Sequence, residues 1–505
     1  MLRLIGSLCL LLVTSAAFAG EKAAAPAPPP SPHEPKSFVS EHSGTFGGVR
    51  VAYRAVAGET ILKDDAGAPR AAIFSVAYLR TGVKDHHRRP VTFLYNGGPG
   101  SASLWLHMGA FGPRRVALPD EPEDDGAPPY AIVDNPETIL DVSDLVFIDP
   151  VDTGFSVPLG DAKAKDFFGV TEDAKSIAAF IHQWLDDNGR WNAPLYILGE
   201  SYGTLRTGAV LKELAARRHG IGLNGVILLS AVLDYQMSRF RPGNVMSYVS
   251  FLPSYAAAAW YHDRLPEKPA DLGGFLDEVR EFARTDYAAA LIAGTRLPAA
   301  ERARIIERLH RYTGLSTGWL DRANLRINVA RFFKELRRDD RRVIGRLDSR
   351  YTGIEPDAVG EFFEADPFST SVGDGFIAAV RDYFIHDLGV RMDRPYKPSS
   401  GKAGRQWNWV EGERAPNGGT FINVVPYIGA ALRHNKDFRV LVPAGYFDFA
   451  TPFFGAENAL SEEVGLVPER IEFRYYPAGH MMYLDPASRV RLLDDVRAFI
   501  GAGTE

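Results

Sequence analysis

The chain has 505 residues, of which 46% are hydrophobic, 11% aromatic and 24% charged, the profile of a folded globular protein and of neither a disordered nor a fibrous one. A net charge of -6, from 57 basic and 63 acidic residues, supplies no global field that would gather nucleic acid or an anionic membrane. The single cysteine, Cys9, excludes a disulfide scaffold, a thiolate zinc site, an iron-sulfur cluster and a CxxC redox pair, and no metal or cofactor is expected.

In residues 1–19, Arg3 precedes an apolar run that ends in Ala17-Phe18-Ala19, the small-residue pattern of a cleaved secretory signal. The protein is therefore expected to be exported, periplasmic or extracellular, with no membrane attachment after signal removal. Residues 20–36 are rich in Ala and Pro and read as a flexible leader. Residues 49–56 and 71–79 alternate and are bounded by Gly and Pro, as an antiparallel hairpin requires.

Beyond the hairpin the rhythm changes to short, almost continuously apolar segments: 91–96, 144–149, 194–199, 225–230, 439–445 and 471–477. Strands buried on both faces have this signature, which predicts an α/β fold with a mostly parallel central sheet flanked by helices. Ala174, Ile177, Ala178, Ile181, Trp184 and Leu185 make one apolar helical stripe, with Thr171 as the expected N-cap. A second helix is expected after Gly203, and a last one carries Val490, Leu493, Val496, Phe499 and Ile500. Residues 234–405 lack the strand rhythm and read as a mostly helical cap inserted into a catalytic domain formed by residues 37–233 and 406–505. The length demands such a division, because single compact domains seldom exceed roughly 250–300 residues.

Gly199-Glu200-Ser201-Tyr202-Gly203 follows one strand candidate and precedes a helix candidate. That is the context of a nucleophile elbow, in which small residues on either side of the serine permit a sharp turn that lifts its hydroxyl out of the fold. A serine hydroxyl needs a base and an orienting carboxylate. Asp448 and His480 each lie just past a strand candidate, on the same sheet edge as Ser201, and the order Ser, Asp, His is that of α/β hydrolases. His107, His182, His310, His386 and His434 fall in helices or in the insertion. An oxyanion hole needs backbone donors: Tyr202, after the nucleophile, offers one, and the glycine-rich loop Asn96-Gly97-Gly98-Pro99-Gly100-Ser101 offers another.

Taken together, YNGGPGSAS (95–103), FIDPVDTGFS (147–156), GESYGT (199–204), Asp448 within GYFDFATPF and AGHMMYLD (478–485) resemble the serine carboxypeptidase family, peptidase family S10. The resemblance implies an α/β-hydrolase fold, a triad of Ser201, Asp448 and His480, and an oxyanion hole made by the N–H groups of Gly98 and Tyr202. It also implies a site for the peptide's terminal carboxylate at Asn96, Gly97 and Glu200, with peptide or protein C termini as substrates. Two carboxylates can share such a site only if they share a proton, which implies a preference for acidic pH. The chain departs from the family pattern at Leu94, where Trp is usual, at Ser101 in place of Cys, and at Ala110 in place of a Glu that could help hold that proton.

The implied activity is release of C-terminal amino acids through an acyl-enzyme intermediate. An esterase or acyltransferase with the same triad, or a binding protein on a hydrolase scaffold, are the rival readings. Two weaker signals read as structure: Gly373-Asp374-Gly375 as a loop before a helix, and the basic run from Arg331 to Arg342 as a solvated helix face.

Overall fold

A computed structural model describes residues 33–410 and 421–503. The expected signal and most of the leader lie outside the described residues. Residues Pro35–Glu505 form one compact unit. Its sheet is built from β1 (Ser37–Phe46), β2 (Val49–Lys63), β3 (Pro69–Arg80), β4 (Val91–Tyr95), β5 (Asp144–Ile148), β6 (Leu195–Glu200), β7 (Gly225–Leu229), β8 (Arg439–Gly445) and β9 (Ile471–Tyr476), in the spatial order β1-β2-β3-β5-β4-β6-β7-β8-β9.

The first three strands and the β3–β5 pair are antiparallel; every pairing from β5 through β4, β6, β7 and β8 to β9 is parallel. All six apolar segments are thus strands of one mostly parallel sheet. Strands β4, β5, β6 and β7 are buried at every position. Alternate residues feed opposite cores: Leu195 and Ile197 face one, Tyr196 and Leu198 the other. Strand β1 escaped the sequence reading because it is half-exposed along its length and carries no sustained apolar alternation, a common property of edge strands.

The helices used below are α1 (Val170–Asn188), α2 (Tyr202–Leu214), α3 (Met246–Tyr261), α4 (Gly373–His386), α5 (Val425–His434) and α6 (Pro486–Gly501). Helices α1, α2 and α5 cover one face of the sheet, and α6 with α4 the other. Helix α1 starts earlier than expected. Gly169, not Thr171, is its N-cap: the Gly169 carbonyl accepts from the Asp173 N–H (2.9 Å), and the Val170 N–H donates to the Asn408 carbonyl (3.3 Å). A tertiary contact, invisible in the local sequence, therefore sets the boundary. Gly373 is likewise the first helical residue of α4 and not part of a preceding loop.

Between β7 and β8 the chain divides its loyalties. Helix α3, with helices Leu272–Phe282 and Ala299–Thr313, encloses a separate core that also takes in Phe447, Phe449 and Phe453 from beyond β8. Farther along, Tyr351, Phe368, Phe376, Tyr383 and Tyr396 pack into the main core beneath the sheet. The basic run is not one helix face, because its helix spans only Val329–Glu335 and buried Lys334 pairs with Glu355 at 3.2 Å.

Candidate active site

Ser201 joins β6 to α2 with φ 61° and ψ −130°, a conformation that costs a non-glycine residue on the order of 1–3 kcal/mol. Its N–H donates to the Leu229 carbonyl (3.0 Å), tying the turn to the adjacent strand. The flanking glycines answer to packing: a Cβ on Gly199 would stand 2.4 Å from the Gly203 carbonyl oxygen. The turn is therefore compressed on both sides of the serine, as an elbow that projects its hydroxyl must be.

Asp448 follows β8 and His480 follows β9, and His480 Nδ1 and Asp448 Oδ2 lie 2.7 Å apart, both residues being buried. The other lone pairs of Asp448 are occupied too. Its Oδ1 accepts from the N–H groups of Ala450 (2.7 Å) and Thr451 (3.0 Å), and its Oδ2 from Thr451 Oγ1 (2.6 Å). A carboxylate fixed by four donors can hold an imidazole in one orientation and tautomer. Burial works against charging His480, yet the Asp448 carboxylate beside it, with help from Glu200, raises its pKa above 6.5.

The His480 loop is held from the insertion. The His480 N–H donates to the Leu347 carbonyl (2.6 Å), the Gly479 N–H to Asp348 Oδ2 (3.2 Å), and Asp348 is itself clamped by Arg350 (2.7 Å). Ser230 Oγ donates to the His480 carbonyl from the β7 side (2.6 Å).

Ser201 and His480 open onto one cavity of about 420 Å³, which Asn96, Gly97, Gly98 and Glu200 also line. Gly97 passes so close to the elbow that a Cβ there would meet the Tyr202 nitrogen at 2.5 Å, and Gly98 has φ +105°. The glycine loop is thereby brought against the first turn of α2, where two backbone donors can converge on one oxygen.

Glu200 is 4% exposed. Burial pushes its carboxyl up to about 7, against the charge of His480 and hydrogen bonding from Tyr483 and Asn96. The Tyr483 hydroxyl donates to Glu200 Oε2 at 2.8 Å. Asn96 Oδ1 accepts from the Leu106 N–H (3.1 Å), while its Nδ2 is buried with no partner of normal geometry among the described residues, although near enough to Glu200 to oppose its rise. A buried, unsatisfied donor beside a carboxyl that holds its proton near neutrality can receive an anionic group.

Of the eight residues singled out from the sequence, six line one cavity, while Asp448 adjoins it through His480 and Tyr202 directly follows Ser201. Sequence reasoning missed four supports: Tyr483, Thr451, the Leu347–Arg350 turn, and a buried pair beneath the glycine loop. In that pair Arg206 Nε donates to Asp173 Oδ2 (2.6 Å) and its Nη1 to the Asn96 carbonyl (2.6 Å), with its guanidinium over the Tyr95 and Tyr202 rings at 5.1 and 5.3 Å. Tyr483 and Thr451 lie within quoted blocks and a search for polar neighbours of the triad would have found them; nothing local marks Arg206. His107 is a core residue, its Nε2 bonded to the Tyr78 hydroxyl (2.6 Å) and its pKa driven by burial down to about 3.

A mostly parallel sheet with a strained serine elbow and an acid-base pair at its carboxyl edge defines an α/β hydrolase. The model of the serine carboxypeptidase family, peptidase family S10, matches residues 78–251. The matched stretch contains Asn96, Glu200 and Ser201 and ends before Asp448 and His480.

Among solved structures, the fold is similar to a prohormone-processing carboxypeptidase, Kex1(delta)P, from Saccharomyces cerevisiae, at 15% identity and a TM-score of 0.53, over 88% of this chain and 92% of that one. A thermostable carboxyl esterase from Bacillus coagulans is similar at 12% identity and a TM-score of 0.37, over 88% of this chain and 98% of that one. No curated protein matches the sequence. No helix among the described residues is long and apolar enough to cross a membrane.

Proposed function

We propose that the protein is an exported serine carboxypeptidase that removes single residues from the free C termini of peptides. Ser201 Oγ attacks the last peptide carbonyl as His480 takes its proton, and Asp448 stabilises the imidazolium. The N–H groups of Gly98 and Tyr202 receive the developing oxyanion. His480 then protonates the leaving amine, the terminal amino acid departs, and water hydrolyses the ester on Ser201 by the same route. Asn96, Gly97 and Glu200 hold the terminal carboxylate, so that cleavage falls one residue from the end. The apolar run of residues 1–19 supports export.

The observation that carries this reading is the buried Glu200 beside the unpartnered Asn96 Nδ2 in the wall of the Ser201 cavity, an arrangement that a hydrolase of neutral esters would not need. Productive binding requires a proton on Glu200 and none on His480. Below the raised His480 pKa the base is charged and idle; above about 7 Glu200 ionises and repels the substrate carboxylate. Because the two groups are coupled, the apparent values belong to the pair.

On a free-acid peptide, kcat/KM should therefore fall as pH rises from near 7 to 9, by about tenfold per unit at the alkaline end. On the matching C-terminal amide or ester that fall should vanish, and Glu200→Gln, which keeps a neutral donor at every pH, should flatten it on the free acid. Mass spectrometry of free and amidated peptides at acid and neutral pH decides the matter. A profile that stays flat or rises to pH 9 on the free acid, cleavage inside the peptide, or turnover confined to small esters would each defeat the proposal.

A further inference from the structure

Of the described side chains that line the cavity with Ser201, only Glu200, His480 and Arg346 can carry a charge. The backbone of Arg346 is anchored: the N–H donates to Asp366 Oδ1 (3.0 Å) and the carbonyl accepts from the Phe449 N–H (3.1 Å). The guanidinium is exposed and makes no hydrogen bond or ion pair among the described residues. Its neighbours in sequence are all engaged: Arg337 and Arg338 with carboxylates, Arg342 with Thr352, Arg350 with Asp348. Asp366, which anchors the Arg346 N–H, also accepts from the Phe368 N–H and from Ser369 Oγ (2.9 Å).

The placement is directional. The Arg346 carbonyl accepts from the Phe449 N–H, next to Asp448, and the Leu347 carbonyl from the His480 N–H, whereas Glu200 is bonded by the Tyr483 hydroxyl on the Asn96 side. Arg346 therefore stands at the Asp448 side of the cavity, apart from the Asn96 and Tyr483 groups that flank Glu200. A peptide whose last carboxylate lies at Asn96 and Glu200 and whose last amide lies at Ser201 must send its preceding residue to that other side.

Building on the carboxypeptidase reading, we propose that Arg346 selects an acidic side chain on the penultimate residue of the peptide, the residue that becomes the acyl group on Ser201. A guanidinium with free donors on an anchored backbone suits a bidentate carboxylate, and the cavity wall shields the pair from part of the solvent.

The test uses the whole protein and N-blocked peptides ending in Glu-Phe, Ala-Phe, Arg-Phe and Ala-Glu. Wild type should favour Glu-Phe over Ala-Phe by about tenfold in kcat/KM, more than an exposed pair gives and less than a buried one. Arg346→Gln should bring that ratio to about one, and Arg346→Glu should make Arg-Phe the better substrate. The same Glu-over-Ala ratio in wild type and Arg346→Gln would overturn the assignment, as would an equal loss on every peptide or a preference for acid in the leaving residue of Ala-Glu. Absence of stepwise release from every peptide by wild type would overturn the carboxypeptidase reading, and this assignment with it.

Discussion

Ser201→Ala is expected to lower kcat by about four to six orders of magnitude with no loss of fold, because the triad works as a unit and what remains is catalysis by binding and the oxyanion donors alone. Single-turnover measurement on a C-terminal Phe peptide, with the unfolding transition followed in parallel, checks both halves. The backbone sharpens the expectation. At φ 61° and ψ −130° a side chain is held against its preference, so Ser201→Gly should be more stable than wild type by about 1 kcal/mol while being as inactive as the alanine variant. A serine variant that retains more than about a hundredth of wild-type turnover would remove Ser201 from the nucleophile's role.

The largest effect on stability is expected at Arg206. This side chain is fully buried, and it binds Asp173 with one nitrogen and the Asn96 carbonyl with another. Arg206→Met should cost about 3–5 kcal/mol, since it abandons the Asp173 carboxylate in a dry interior; Arg206→Met with Asp173→Leu should recover most of the loss.

Burial already raises the Asp173 pKa, against the pull of Arg206. In the single variant that opposition is gone, so the folded state holds Asp173 neutral to higher pH. The sign follows: the folded state of the variant binds the extra proton, so its deficit should be smallest in acid and grow as pH rises. Denaturant midpoints at pH 5 and pH 8 would reveal it. An equal deficit at both, or a double variant as weak as the single, would mean that packing over Tyr95 and Tyr202 and not the ion pair is what Arg206 contributes.

The proposed catalytic trio was legible in the sequence for a specific reason. Ser201, Asp448 and His480 each come directly after a strand that is apolar throughout, and parallel strands deliver their carboxyl ends to one edge. The six segments could be identified, but their spatial order could not, since order is decided by crossovers whose packing leaves no local pattern. Edge strand β1 stayed hidden because its outward side chains are mixed. Arg206 and Asp173 stayed hidden because their meeting depends on how α1 lies on α2, and each in isolation resembles an ordinary surface charge on an amphipathic helix. The start of α1 slipped by two residues for a similar reason: the Asn408 strap, 238 positions along, supplies a partner that local capping rules do not see.

One attachment constrains how this enzyme can be rebuilt. The amide of His480, the proposed general base, hangs from the carbonyl of Leu347, and that of its neighbour Gly479 from Asp348, both inside the segment between β7 and β8. Exchanging that whole segment between relatives to transplant a specificity would also exchange the hinge pins of the histidine. Chimeras that keep residues 345–350 from the recipient should retain a working base, and those that replace them should lose turnover however well the new roof accommodates its peptide.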